Sequence, residues 1–381
     1  MDEDLSKEAF QFQLEYLIEE TKKQNNSILS FILSKMNLIY SFKFKCKTIK
    51  LLSVLITKDI PYSQLQKFIF NGIPDDISSL RPLLWKICLN YLSLKPSEWE
   101  NQLKIKRDRY NHLLNKYLPL INNKILFLKF AKDNPLSINN DSKFNNYFKN
   151  KEDYESINKD IERTRAHMNF VMTKNKQNEK ETNAQVMNRI LYIYSKEHSE
   201  VSYIQGMNEL LAPFYFCFSN DRNPDSLKYI EHDSYGAFEN LMETIKDIFI
   251  KKKDNTKTGI NERLKNIEYL LEIYDYKLYN HFKKNKIEIQ LYGIKWFTLL
   301  FTQNFEMPDI LRIWDSILSY PDIFDYLNYL MLSPLKIKKE KLIKSDMAGI
   351  LMEIQNFDQI DIDQFLNEAN EIREILNEKL A

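Results

Sequence analysis

Apolar residues recur along most of this chain at intervals of three and four. Ile310, Ile313, Trp314 and Ile317 stand at i, i+3, i+4 and i+7, Phe365, Ala369, Ile372 and Leu376 repeat the interval farther on, and Val186, Ile190, Ile193 and Tyr194 repeat it in mid-chain. At about 100° per residue each set lines up as one stripe, so each predicts a helix with a single buried face. Strict alternation, the mark of a half-buried strand, is scarce, and Phe42-Lys43-Phe44-Lys45-Cys46-Lys47 is the best short candidate. The pattern predicts an all-α protein. Polar, Asn- and Lys-rich stretches at 132–158, 173–183, 219–234 and 251–261 read as loops or insertions between the helices. Residues 1 to about 70 read as a helical extension ahead of the main domain.

Composition narrows this picture. The chain has 381 residues, 44% of them hydrophobic, and a net charge of +1 from 54 basic against 53 acidic side chains. At roughly 150 residues per domain this allows two to three domains, or one elongated domain with its core split into lobes. A near-zero balance removes the long-range field that nucleic-acid binders use. Local basic runs remain, notably Lys43, Lys45, Lys47 and Lys50, and Lys336 to Lys341. They read first as solvated faces and second as contacts for anionic lipid or an acidic partner.

The three cysteines, Cys46, Cys88 and Cys217, show no CxxC spacing, so a reducing compartment and no zinc site are expected. The acidic start, Met1-Asp2-Glu3-Asp4, is unlike a secretory signal. The longest apolar run, Leu210 to Phe218, contains Pro213 and falls short of the roughly 18 residues that span a bilayer. A cytoplasmic location is expected, with membrane association peripheral at most. Six glycines, none in a GxG pair, argue against a phosphate-cradling loop and hence against a nucleotide pocket of the chain's own.

Familiar catalytic arrangements are missing as well. The five histidines form no HExxH pair, and there is no GxSxG elbow and no kinase signature. No metal site is expected, and any catalysis must use groups that are not themselves nucleophiles. Three segments are candidates. In Ile157 to Thr164, helical spacing puts Tyr154, Ile157 and Ile161 on one stripe and aims Arg163 away from it, with Asp160 at the edge. An exposed Asp–Arg pair of negligible effect is the competing reading. In Tyr203 to Leu210, Gly206 permits an unusual backbone directly after Gln205, and a capping glycine beside a solvent-facing amide explains it equally well. In Asn71 to Lys86, a turn at Gly72-Ile73-Pro74 precedes a helix with Arg81 and Trp85, where packing alone accounts for the tryptophan.

Taken in order, these segments resemble the TBC-domain family of GTPase-activating proteins for Rab GTPases. Gly72-Ile73-Pro74 with Arg81 and Trp85 is similar to the first motif of that family. Ile157, Asp160, Arg163 and Thr164 fit IxxDxxRT, and Tyr203, Gln205, Gly206, Met207 and Asn208 fit YxQGMN. Lys295-Trp296 and Leu311-Arg312-Ile313-Trp314-Asp315 are similar to its later segments. Asn134-Pro135-Leu136-Ser137 followed by Tyr147-Phe148 is similar to the lead-in of the branch typified by TBC domain family member thirteen.

The resemblance covers about residues 65–380 and implies an all-α, two-lobed V with a Rab GTPase in the groove. The N-lobe would run from about 65 to 235 and the C-lobe from about 236 to 380, after an extension over 1–64. It further implies Arg163 as an arginine finger and Gln205 as a glutamine finger acting on a GTP-bound Rab. Asp160, Tyr203, Gly206, Asn208, Trp85, Arg81 and Thr164 would support them. The protein would need no cofactor of its own, GTP and Mg²⁺ being carried by the Rab. Arg165 is a less favoured alternative finger, and Lys295 keeps a charge where the family commonly has the arginine fork. The same groove serving as a non-catalytic binding module is the alternative function.

Overall fold

The computed structural model describes residues 6–39, 41–75, 79–119, 143–164 and 169–381. The Asn134 to Ser137 segment and Arg165 lie outside the described residues. Helices make up 74% of the structure, and no sheet forms among the described residues beyond an isolated bridge between Lys174 and Thr182. The all-α expectation holds.

The chain divides into two compact units, 1–68 with 73–241, and 69–72 with 242–381. In the first unit, α1 (Lys7–Lys23) packs on α2 (Ser27–Ser34) and α3 (Phe42–Leu55). The Phe42 to Lys47 alternation therefore opens a helix rather than a strand. It is only six residues long, and beyond it Cys46, Ile49, Leu52 and Leu55 continue at three-residue steps and are all buried. After α4 (Tyr62–Phe70) come α5 (Leu80–Cys88), α6 (Trp99–Tyr117), α7 (Lys143–Glu162), α8 (Asn183–Glu197), α9 (Met207–Ser219) and α10 (Ile230–Ile245).

Helix α7 corrects the loop expected over 132–158, at least from 143 onward, and the start of α10 does the same for 219–234. Few apolar positions reveal α7, but Ile157 and Ile161 are fully buried and Tyr154 meets Tyr192 edge-on at 5.5 Å, so α7 packs along α8. Packing rather than intrinsic propensity makes this polar segment helical.

Helix α10 brings three carboxylates into the first unit. Asp233 accepts from Lys86 at 2.5 Å and from both prongs of Arg107 at 2.8 and 2.9 Å. Burial pushes its carboxyl up, yet Lys86 and Arg107 outweigh burial and hold it at about 2. Glu231 binds Arg189 through two 2.7 Å bonds and accepts from Tyr110 at 2.8 Å. Glu239 meets His198 at 2.9 Å and Arg109 at 2.5 and 2.9 Å, and it too is held at about 2 against the upward push of burial.

The second unit has an aromatic core. It comprises α11 (Ile260–Tyr274), α12 (Tyr276–Lys284), α13 (Gln290–Thr298), α14 (Met307–Ser319), α15 (Ile323–Ile337), α16 (Lys339–Lys344), α17 (Met347–Gln355) and α18 (Ile362–Leu380). Helices α15 and α18 pack on each other and both touch α11. Trp296, Phe301, Phe305, Phe357 and Phe365 stack in a chain of tilted and edge-on contacts 5.0 to 6.4 Å apart. Trp314 is buried and donates to the Leu300 carbonyl at 3.2 Å. Gly72 sits at φ +89°, which favours glycine, and a Cβ there would come within 2.8 Å of the Arg312 guanidinium, which would have to shift.

Candidate functional site

The Arg163 segment begins with the buried stripe of α7. Ile161 points inward, Arg163 lies two residues on and is exposed, and Thr164, three residues on, turns back in and is buried. The helix ends there through bonds from Arg163 N to Lys159 O at 3.3 Å and from Thr164 N to Ile161 O at 2.9 Å. The Thr164 hydroxyl is 3.2 Å from the Asp160 carbonyl. Among the described residues, Arg163 makes no side-chain ion pair.

The Gln205 segment is a tight turn. Met207 N donates to Ile204 O at 3.1 Å, with Gln205 and Gly206 at the two central positions. Gly206 has φ 107° and ψ −18°, the third-residue geometry of a type II turn, where a side chain would be strained. Gln205 at the apex is exposed, while Met207, Asn208, Leu210 and Leu211, which open α9, are buried. The expected capping glycine and solvent-facing amide are thus real features of the turn, and they coexist with a tip presented to solvent.

One side chain joins the two segments. The Asn208 carbonyl oxygen accepts from Gly206 N at 3.1 Å, fixing the turn, and its amide nitrogen donates to Thr164 Oγ1 at 2.7 Å and to the Asp160 carbonyl at 3.3 Å. Asn208 is 4% exposed, so these bonds form away from competing water. Tyr203 adds a second tie. Its hydroxyl has one proton, and the Asp160 carboxylate at 3.0 Å is a better acceptor than Asn208 Oδ1 at 3.3 Å. Burial and then the nearby Asp160 charge push the phenol above the usual tyrosine range, so it stays a donor at neutral pH.

Asp160, Thr164, Tyr203, Gly206 and Asn208 are therefore brought together, with Arg163 and Gln205 on their exposed ends. Arg81 and Trp85 act farther back. Arg81 is buried, donates to the Ile73 carbonyl at 2.9 Å and pairs with Asp75, which sets the turn before α5. Trp85 is completely buried and meets Phe214 of α9 edge-on at 5.7 Å. Trp85 packs under α9, and Arg81 fixes the turn before α5. Lys295 is exposed on α13 beside the buried Trp296. Sequence reading passed over Glu209, which is 4% exposed on the first turn of α9 and adds to the upward push on Tyr203. Its place among hydrophobic neighbours gave no local signal. Among the described residues, no group of three His, Cys, Asp or Glu side chains could hold a metal ion, and no helix is long and apolar enough to cross a membrane.

Residues 78–343 match the Rab-GTPase-TBC domain. The chain is similar to human TBC1 domain family member 13, with 29% identity covering 84% of this chain and 96% of that protein. It is similar to the GTPase-activating protein GYP1 of Saccharomyces cerevisiae, with 26% identity over 81% of this chain and 42% of that one. Its fold is similar to the crystal structure of the Ypt/Rab-GAP domain of Gyp1p, at a TM-score of 0.68 and 22% identity, covering 88% of this chain and 98% of that domain.

Proposed function

Because the chain belongs to the Rab-GTPase-TBC domain family, we propose that it accelerates GTP hydrolysis by a GTP-bound Rab-family GTPase, inserting Arg163 and Gln205 into the partner's active site. The observation that carries this reading is the Asn208 bridge, which binds the Arg163 and Gln205 segments to each other while both side chains stay exposed. The two groups suit the chemistry. Hydrolysis spreads negative charge over the oxygens of the γ-phosphoryl group and needs a water in line with the breaking bond. A permanently charged, forked guanidinium neutralises that charge, and a carboxamide that both donates and accepts orients the water. Neither needs a shifted pKa. GTP and Mg²⁺ belong to the partner, and this chain supplies position and charge.

The test is single-turnover GTP hydrolysis across a panel of Rab GTPases. An arginine supplied in trans contributes roughly 10³–10⁵ in rate, so Arg163→Ala should remove almost all stimulation of the cognate Rab without changing the melting temperature. Gln205→Ala should cost about 10²–10³, the scale of losing one preorganised hydrogen-bonding group. Arg163→Lys should rescue poorly, because lysine lacks the fork. Full stimulation by either alanine variant would defeat the assignment. Binding to a Rab without acceleration by the wild-type chain would convert the site into a non-catalytic docking module.

A further inference from the structure

Between Glu20 and Asp59 the chain carries eight lysines, no arginine and no acidic residue, in a protein whose total charge is +1. Even with the four glutamates of α1 included, residues 7–58 hold nine lysines. The excess is displayed on α3. Lys43 is exposed, and Lys47 and Lys50, four and seven positions on, share its helical face and are half-exposed. The opposite stripe, with Cys46, Ile49 and Leu52, is buried. Large apolar groups on α3 and in the chain shortly before it stay exposed. Phe44 is 47% exposed and Leu38, just before α3, is 48% exposed. Lys35 lies over the half-buried Phe31 ring, 5.0 Å from its centre.

The lysine face thus carries an exposed phenylalanine on the same helix, which pairs its charge with apolar surface. Protein interfaces and nucleic-acid grooves favour the forked arginine, and protein interfaces are depleted in lysine, whereas this stretch has lysine alone. The compact ammonium charge suits the diffuse negative potential of an anionic leaflet, and half-exposed phenylalanine and leucine suit the boundary between headgroups and acyl chains. We propose that α3 forms a docking surface for an anionic phospholipid bilayer. This surface is independent of Arg163 and Gln205, so it orients and concentrates the protein at a membrane without entering the hydrolytic step.

The experiment is flotation of the full chain with phosphatidylcholine vesicles, with and without 30% phosphatidylserine, at low and high salt. The wild type should float only with the anionic vesicles and come off as salt rises. Each lysine at such a surface contributes about fivefold in affinity, so Lys43→Gln with Lys47→Gln should weaken binding roughly 25-fold. Phe44→Ala should weaken it about tenfold, a loss that salt does not mask. As a charge-matched control, Lys251→Gln with Lys252→Gln should bind as the wild type does. Melting temperatures establish that each variant is folded, and Phe44→Ala decides the matter if the double lysine variant is not. Equal flotation without phosphatidylserine, wild-type binding by the α3 variants, or an equal loss in the control would overturn the proposal. So would retention on polyglutamate or RNA with no partition to vesicles. Stimulation of a soluble Rab should be unchanged in every one of these variants, which separates this surface from the proposed activity.

Discussion

Two polar clusters hold distant stretches of the first unit together, and they are built from different chemistry. Around α10, the carboxylates of Glu231, Asp233 and Glu239 are held by Lys86, Arg107, Arg109 and Arg189 from other helices. At the candidate site, Asn208, Thr164 and Tyr203 tie α7 to α9 with an amide and two hydroxyls, and the Asp160 carboxylate takes part. Buried charge pairs grip strongly and penalise the loss of either partner, because the remaining charge is stranded away from water. Neutral hydrogen bonds contribute about 1 kcal/mol each, but they fix direction without building a field. That distinction matters beside Arg163. A ring of carboxylates like that around α10 would draw the guanidinium into an ion pair and hold it down. The amide bridge holds the segment while Arg163 stays exposed, with no side-chain ion pair among the described residues.

The largest effect expected from this contrast is at Asp233. Asp233→Ala leaves Lys86 and Arg107 buried without their shared counter-charge and should destabilise the chain by about 3–5 kcal/mol in denaturant melts. The stimulated GTPase rate per folded molecule should be unchanged, because the site has its own ties. A loss below about 1 kcal/mol would show that the α10 cluster is not what holds these helices.

Acid should act on the same cluster. Asp233 and Glu239 have folded-state values held at about 2, below those of an unfolded chain near 4, so the stability they add is present above about pH 5 and lost as pH falls from there toward 2. Each such carboxylate contributes on the order of 2–3 kcal/mol over that range. Stability measured against pH should fall along this acid limb, and Asn208→Ala should lie below the wild type by a constant amount, since the groups Asn208 bonds, the Gly206 N–H, the Thr164 hydroxyl and the Asp160 backbone carbonyl, do not titrate there. An Asn208→Ala curve that converged with the wild type in acid would place the bridge within the ionic system.

Asn208→Ala itself should cost about 2–3 kcal/mol, because it strands the buried Gly206 N–H and leaves Thr164 without its donor. Its signature is kinetic. With the two segments no longer tied, the stimulated turnover should drop tenfold or more while Rab binding changes less, since contacts elsewhere on the surface remain. Equal losses in binding and turnover would mean that Asn208 only supports the fold.

How far such features can be read from sequence follows from how local they are. The inward stripe of Ile157 and Ile161, the outward Arg163 and the glycine-dependent turn at Gln205 rest on neighbours within a few residues, and spacing shows them. The Asn208–Thr164 bond spans 44 residues and the Lys86–Asp233 pair spans 147, and no periodicity marks either. Helix α7 shows the same limit. Its surface is so polar that it reads as a loop, and only the partner helix α8 explains why it folds. The short alternation at Phe42 misleads for the opposite reason, since six residues cannot outweigh the helical spacing that follows them. The α10 carboxylates were invisible as a group because each partner comes from elsewhere in the chain.

The smallest effect should be at Tyr203. Removing its hydroxyl in Tyr203→Phe deletes one 3.0 Å bond to Asp160, and the half-buried carboxylate can recruit water in its place. The cost should be about 1 kcal/mol, with turnover reduced only a few-fold, because Asn208 still holds both segments. Denaturant melts and single-turnover rates on the same preparations give both numbers. The sharper comparison is with Tyr203→Phe combined with Asn208→Ala. If the two residues are parallel ties across one gap, the double variant should lose more turnover than the two single losses multiplied together, since either tie alone limits how far the segments separate. A purely multiplicative result would mean that Tyr203 and Asn208 constrain different motions. Should Tyr203→Phe alone cost as much as Asp233→Ala, the site would depend on the Asp160 carboxylate as heavily as α10 depends on its three, and the contrast between the ionic cluster and the amide bridge would be lost.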